Sequence, residues 1–382
     1  MYIAAIIVTT FLLAVYSFLI LQYRKWFLRL KPFSTAVMPE PKTKFSVIIP
    51  ARNEGNGIAA CLHSILQQQY PADLFEVIVI NDHSTDNTEA VIRKLQAEYP
   101  NLRLINLQER LANKQLNAYK KMAIEMAIAE SMGDWIVTTD ADCYAPPNWL
   151  STLNACISGN SPVFIAAPVM FTHNGSFLSA FQLLDFISLQ GITAAAVSAG
   201  YHSMCNGANL AYRKDVFYEA GKFSGIDHVA SGDDMLLMHK IKALYPDRMA
   251  YLFSPGMIVT TEPMHTWKDF FNQRIRWASK ADQYDDKGIF WTLALVYALN
   301  AALLLLFPFS FFVEGGLVNW LLFVAVKTGV ELSFMIPVAR FYNQLGALYL
   351  FPVMQPFHIT YTVIAGWLGK FGSYQWKGRS VR

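Results

Sequence analysis

Residues 137–143, VTTDADC, set two carboxylates one residue apart directly after a β-branched apolar run. If that run is a strand continuing through the acids, period-two alternation turns Asp140 and Asp142 to one side at its end. Like charges so close repel, which calls for a cation between or beside them, or for a proton on one of them. At the carboxyl end of a central strand the pair would offer hard oxygen ligands to Mg²⁺ or Mn²⁺, an ion that can also hold a diphosphate. Elsewhere on a surface the same spacing makes Asx-turns and helix caps.

Other stretches carry polar chemistry in a meaningful order. VIIPARNEG at 47–55 ends a strand at Pro50, Arg52, Asn53 and Glu54, which either reach a nucleoside or simply make a turn. INDHSTDNT at 80–88 puts Asp82 at the next strand end, while Ser84, Thr85 and Asp86 suit a helix start, so Asp86 reads as structural. NKQLN at 113–117 offers Lys114, either solvated or in contact with a base or phosphate. In SGDDMLLMHK at 231–240 a helix begins at Asp233 and Asp234; capping explains one acid, and two suggest more. QRIRW at 273–277 presents Gln273, Arg276 and Trp277 just before an apolar hairpin, either as an interfacial anchor or as part of a site.

The elements that must position these residues alternate in type. KFSVIIPARNE and FEVIVINDHSTD each read as a strand running into a loop, with helices in SILQQQ and TEAVIRKLQAEY between and after them. Strand, loop and helix in repetition give an α/β fold with a mostly parallel sheet flanked by helices. Ligands of such sheets gather at the carboxyl ends of the strands. Asn53 and Glu54, Asn81 to Asp86, and Asp140 with Asp142 then share one edge. Cys61, Cys143, Cys156 and Cys205 show neither CxxC pairing nor zinc-ligand spacing and read as reduced, buried thiols. A net charge of +3, with no basic run among aromatics before the last few residues, argues against a nucleic-acid partner.

With 54% hydrophobic and 15% charged residues, the 382-residue chain is too apolar for a purely soluble protein. Residues 1–22 carry no charge and match a bilayer-spanning helix in length. They lack the flanks of a signal peptide and read as a retained anchor. Arg24, Lys25, Arg29 and Lys31 follow, and the rule that basic flanks stay inside places residues 24 onward in the cytoplasm. The organisation expected is an anchor over 1–23, a basic linker over 24–43, a soluble domain over 44–286, a membrane region over 287–369 and a basic tail over 370–382. Spans over 289–313 and 317–339 form a hairpin around an EGG turn. The stretch 345–368 either crosses or forms a re-entrant helical pair broken near Pro352 and Pro356, the reading the basic tail favours. Lys327 and Glu331, four apart in the second span, either mark a transport pathway or pair on one helical face. In SFLSAFQLLDFISLQ, 176–190, Ser179, Gln182 and Asp185 recur every three positions on an otherwise apolar helix, either a core helix or one laid on the membrane surface.

Taken in order and at these spacings, VIIPARNE, VIVINDHSTD, DAD, GDD and QRIRW resemble the inverting glycosyltransferases of family 2, over about residues 44–285. The resemblance implies the nucleotide-diphospho-sugar transferase fold called GT-A, here with N- and C-terminal transmembrane helices. NGANLAYRKDVF at 206–217 and WKGR at 376–379 are similar to members that glycosylate membrane lipids, such as ceramide, hopanoid and carotenoid glucosyltransferases. Carried onto this chain, it implies a donor site of Pro50, Arg52, Glu54, Asp82, Lys114 and Asp140, with Asp82 at the nucleoside and Lys114 near the base. It further implies Asp142 as ligand to Mg²⁺ or Mn²⁺ and Asp234 as catalytic base, completed by Asp233, Gln273, Arg276 and Trp277. Many members have Glu-Asp where this chain has Asp233-Asp234. The implied reaction is inverting transfer of a single hexose from a nucleotide-diphosphate sugar, a UDP-sugar, to a hydroxyl of a membrane lipid or lipid-linked acceptor. Direct displacement needs a base on the acceptor side and a cation on the leaving-group side, where Arg276 shares the charge. A processive polysaccharide synthase shares these motifs but needs a polymer channel, for which the spans are few. A nucleotide-binding transporter or scaffold is the reading of another class.

Overall fold

A computed structural model describes residues 2–34, 38–111, 118–201, 204–227, 232–280, 286–372, 374–376 and 379–381. Its first elements are α1 (Tyr2–Arg29), β1 (Phe45–Ala51), α2 (Ile58–Leu66), β2 (Phe75–Asn81), α3 (Thr88–Gln96), β3 (Leu102–Asn106), α4 (Leu107–Leu111) and α5 (Tyr119–Glu130). There follow β4 (Trp135–Thr138), β5 (Cys143–Tyr144), α6 (Trp149–Asn160), β6 (Phe164–Ala166), β7 (Val169–Phe171), α7 (Phe177–Ser198), β8 (Leu210–Arg213), α8 (Lys214–Glu219), α9 (Asp233–Leu244), β9 (Met249–Tyr251) and β10 (Val259–Thr261). The last are α10 (Trp267–Ala278), α11 (Lys287–Phe309), α12 (Gly316–Phe341), α13 (Phe351–Phe371) and a hairpin of β11 (Tyr374–Trp376) and β12 (Arg379–Val381).

The chain divides into two compact units, one of Lys31–Met170 and Ser203–Glu262, the other of Met1–Leu30, Phe171–His202 and Pro263–Arg382. The first is built on a seven-stranded sheet of order β3-β2-β1-β4-β8-β6-β9. Strands β1 to β4 run parallel, with Val47 beside both Val77 and Val137. Such strands are covered on both faces, so SVII and VIVI are buried without alternation. The expected parallel sheet holds there, while β8 runs antiparallel to both β4 and β6. A smaller sheet has the order β5-β10-β7. The acids of VTTDADC are not on a continuing strand: β4 stops at Thr138, and a turn closed by Cys143 N–H on Asp140 O (3.2 Å) carries them. Alternation is therefore not what brings Asp140 and Asp142 together.

Beneath that turn, Asn209 of the NGAN stretch is a buried tie. Its Oδ1 accepts from Trp149 Nε1 at 2.9 Å, and its Nδ2 donates to Pro168 O at 2.8 Å and Met257 O at 2.7 Å. Both ends of this amide are spent inside the fold.

The second unit gathers the apolar helices. Of the described helices, α1, α7, α11 and α12 are long and apolar enough to cross a membrane. The most apolar stretch of α7 is 78% buried, against 22–33% in the other three, so α7 is the interior one. A Cβ on its Gly191 would come within 2.6 Å of Val338, which shows how closely α7 meets α12. Its polar stripe is turned to protein: Ser179 Oγ meets His173 Nδ1 at 2.9 Å, the Gln182 amide exchanges two 2.9 Å bonds with the Met264 backbone, and Asp185 pairs with Arg274 at 2.6 Å. Of the two readings of this stretch, the core helix is the one observed, and it groups with the terminal helices and not with the sheet.

Lys327 and Glu331 pair on one face of α12 at 2.7 Å. Gln355 accepts from Lys327 at 2.8 Å and donates to Glu331 at 2.6 Å, and Tyr16 OH donates to the other carboxylate oxygen at 2.5 Å. Two charges that would be costly alone thus tie α1, α12 and α13 together. The helical pair expected over 345–368 is a correction. After a 3₁₀ turn at Leu345–Leu350, one helix runs unbroken from Phe351 to Phe371. Pro352 falls in its first turn, where a missing N–H costs no helical bond; Pro356 lies inside the helix, which runs on through it without the bond its N–H would have made.

Asn209→Ala would strip the side-chain partner from the Trp149 indole N–H and the buried Met257 carbonyl, at about 1–3 kcal/mol each before relaxation, while the Pro168 carbonyl keeps the Val259 N–H at 3.1 Å. A clear fall in the melting temperature is expected, followed by tryptophan fluorescence; an unchanged melt would show that water replaces the amide without cost.

Candidate active site

Three loops leave the carboxyl edge of the parallel strands, and polar side chains tie the first two, after β1 and β2, to each other. Asn53 and His83 both adopt left-handed backbone, φ 53°. Asn53 Oδ1 accepts from Thr85 N–H at 2.8 Å, and Ser84 Oγ accepts from Asn53 N–H at 3.0 Å. Asp86 accepts from Gly55 N–H at 2.9 Å and from Thr88 N–H at 3.0 Å, so its reading as structural is what the contacts display. Asp82 is 4% exposed, held by His83 Nδ1 at 2.9 Å, while Arg52 donates to its carbonyl at 3.0 Å and lies 3.8 Å from its carboxylate. Pro50 pairs with Ile80 near the ends of β1 and β2, and Glu54 donates its N–H to Thr88 Oγ1 at 2.8 Å. Arg52, Glu54 and Asp82 are thus brought to one pair of loops.

Asp140, Asp142 and Cys143 place one ligand atom each within 4.8 Å of one another. Burial, then Asp142 and Asp140, push the Cys143 thiol well above its usual range, so it stays protonated. That leaves two hard carboxylates as the metal-competent pair.

Asp233 and Asp234 occupy the first turn of α9, after Gly232 in left-handed conformation, φ 77°. Asp234 Oδ2 accepts from Gly207 N–H at 3.0 Å and Oδ1 from Met235 N–H at 2.8 Å, which fixes its plane. The side chain that joins this turn to the acid pair is Lys120, on the first turn of α5. Its Nζ lies 2.9 Å from Asp140 Oδ1 and 3.3 Å from Asp233 Oδ2. Burial alone would pull the ammonium down, but Asp140, Asp233 and Asp234 outweigh it and raise it well above the lysine range. Sequence reasoning did not pick out Lys120, although the repulsion between Asp140 and Asp142 called for a cation beside them.

Lys114 lies outside the described residues. Gln273, Arg276 and Trp277 sit half-buried on α10, in the second unit. Within that unit Arg274, also unremarked in the sequence, is the buried charged member of QRIRW, next to the buried Ile275. It pairs with Asp185, donates to Gln273 Oε1 at 3.2 Å, and lies over the Trp277 ring at 4.2 Å, so it braces two motif residues from behind. Arg274 and Arg276 are two positions apart on a helix and therefore face nearly opposite ways.

Comparison with known proteins gives this constellation a context. The family model described as Glycosyl transferase family 2 matches residues 46–221, and that of Glycosyl transferase family group 2 matches residues 135–366, more than half of the chain. Glycosyltransferase AglE of Haloferax volcanii is 29% identical over 190 residues, 50% of this chain and 58% of that protein. An N-acetylglucosaminyltransferase of Rhizobium meliloti is 29% identical over 290 residues, 71% of this chain and 65% of its own. A beta-monoglucosyldiacylglycerol synthase of Synechocystis is 27% identical over 110 residues, 29% of this chain and 22% of its own. The chain spans less than two thirds of the length of each of these relatives. Among solved structures, the mannosyltransferase PcManGT of Pyrobaculum calidifontis superposes with a TM-score of 0.57 at 18% identity, covering 94% of this chain and 99% of that one. The fold is GT-A, and the chain belongs to glycosyltransferase family 2.

Proposed function

We propose that this family 2 enzyme transfers one sugar, with inversion, from a nucleotide-diphosphate sugar to a hydroxyl of a membrane lipid or lipid-linked acceptor. The observation that carries the proposal is the meeting, through Lys120, of the acid pair after β4 with the two acids that open α9. Such a site has a pole for diphosphate and a pole for a base. Similar proteins support the reading: PcManGT was solved in complex with GDP-Man and Mn²⁺, and the Synechocystis relative is a beta-monoglucosyldiacylglycerol synthase. Four helices suited to a bilayer support a lipid acceptor, and the basic residues 24–31 favour a cytoplasmic catalytic domain at an inner membrane.

In this reading Asp82, with Arg52, Glu54 and Pro50, faces the nucleoside, and Lys114 lies near the base. Asp142, with Asp140, holds Mg²⁺ or Mn²⁺, which when bound neutralises charge on the departing diphosphate. Asp234 takes the acceptor hydroxyl proton as the oxygen bonds to the anomeric carbon and the carbon–phosphate-oxygen bond breaks, the electron pair leaving with the diphosphate. Its two backbone amides aim it without consuming all its lone pairs. Asp233 is the less suited base, since it shares an ammonium. Arg276 contributes to leaving-group stabilisation, and Gln273 and Trp277 to the acceptor side. The Lys327–Glu331 pair is spent in a closed cluster, which removes the feature that favoured transport.

Purified protein in detergent, given labelled nucleotide sugars, Mn²⁺ and total membrane lipid, is expected to yield a labelled product that partitions into organic solvent. A long water-soluble polymer would replace this reading with a processive synthase. Asp234→Asn is expected to keep nucleotide binding by calorimetry and lose transfer by roughly a hundredfold or more, the scale of a lost general base, with Asp233→Asn milder. The reverse order would move the base by one residue. Since burial keeps Cys61 and Cys143 protonated well past neutral pH, neither thiol should be alkylated in the folded protein at pH 8, as read by mass spectrometry. Rapid labelling of Cys143 would restore a thiolate to the candidate metal site.

A further inference from the structure

Lys120 stands where the two poles of the site meet. Its side chain is 19% exposed, that of Asp233 11% and that of Asp140 40%, so the shared ammonium is shielded on the Asp233 side and open to solvent at Asp140. A divalent cation drawn to Asp140 and Asp142 encounters an ammonium 2.9 Å from one Asp140 oxygen. Two cations on one carboxylate repel, and the carboxylates nearby are already partly neutralised. A nucleoside diphosphate changes the balance, because it brings its own oxygen ligands and enough negative charge to accommodate metal and lysine together.

From this geometry we infer that Lys120 is a positioning residue that makes metal binding depend on the nucleotide: it holds Asp140 against Asp233 in the donor-free enzyme and admits Mn²⁺ to the acid pair when a diphosphate arrives. The inference rests on the reading of Asp140 and Asp142 as the metal-holding pair. Its consequence is a reciprocal coupling, in which nucleotide strengthens metal binding and metal strengthens nucleotide binding by the same factor. The diphosphate's own oxygen ligands contribute coupling whatever the lysine does; a merely structural lysine, pinning the start of α5 to that of α9, would leave nucleotide-free metal binding unchanged when its charge is removed. Premature metal binding would also draw Asp140 from Lys120 and loosen Asp233 beside the base, so the order of arrival protects the arrangement of the base as well.

The test is Mn²⁺ titration of the full chain in detergent, followed by the electron paramagnetic resonance of free Mn²⁺, with and without saturating UDP or GDP. For the unaltered protein, nucleotide should tighten Mn²⁺ binding by about tenfold or more, within the range of ordinary couplings. Lys120→Met should bind Mn²⁺ about tenfold more tightly than the unaltered protein without nucleotide, and about as tightly with it, so that the coupling shrinks about tenfold to the part the diphosphate's own ligands supply. Lys120→Arg keeps the charge and should keep the coupling. Unchanged or weaker nucleotide-free Mn²⁺ binding in Lys120→Met overturns the inference, as does nucleotide-independent binding in the unaltered protein, a result that needs no variant to fold. Mn²⁺ binding under neither condition would instead sink the metal reading on which the inference rests.

Discussion

Carboxylates crowded at the end of a parallel sheet can remain ionised only if cations and backbone amides answer them. In this chain Asp140 and Asp142 follow β4, Asp233 and Asp234 open α9, and Lys120 is within 3.3 Å of a member of each pair. The Gly207 and Met235 amides and the first turn of α9 supply the remaining partial positive charge for Asp234. Remove that balance and the crowded acids repel one another and part.

The fold answers this constraint with rigidity. Parallel pairing of β1, β2 and β4 sets three loops side by side at one edge, and the loops after β1 and β2 then bond to each other. Left-handed backbone at Asn53 and His83 is the local cost of turning each chain sharply at its strand end, and the bonds through Ser84, Thr85 and Asp86 hold it there. The helical unit solves a different problem with the same means. Asp185, Arg274, Lys327 and Glu331 are charges among apolar helices, and each is paired within 2.7 Å.

Most of the strand edge was legible because its signals are local. A β-branched run followed by Asp, Asn or Ser names both a parallel strand and the polar loop it delivers, and so VIVINDHSTD could be read without a structure. What escaped reading was partnership. Lys120 is one of two adjacent lysines at a helix start, and nothing local tells that its ammonium meets two distant acids while Lys121 bonds to the Ile226 carbonyl. Asp185 stood out as a polar residue on an apolar helix, yet its partner Arg274 lies 89 positions on, inside a motif whose other arginine drew the eye. Periodicity gave α7 an apolar face but could not say that it belongs with the terminal helices. Pro352 and Pro356 suggested a break because proline is costly in a helix interior; Pro352 falls in the first turn, where it is tolerated, and Pro356 is an interior proline that the helix carries at the loss of one backbone bond.

The central claim is that a metal held by the acid pair after β4 carries the leaving diphosphate. Transfer from nucleotide sugar, measured with Mn²⁺ and again in excess chelator, with Asp142→Asn as a folded control, tests it most directly. The account predicts that chelation abolishes transfer, that Mn²⁺ restores it in the unaltered protein, and that Asp142→Asn stays inactive with Mn²⁺ present while its melting curve is retained. Undiminished turnover in excess chelator would contradict it.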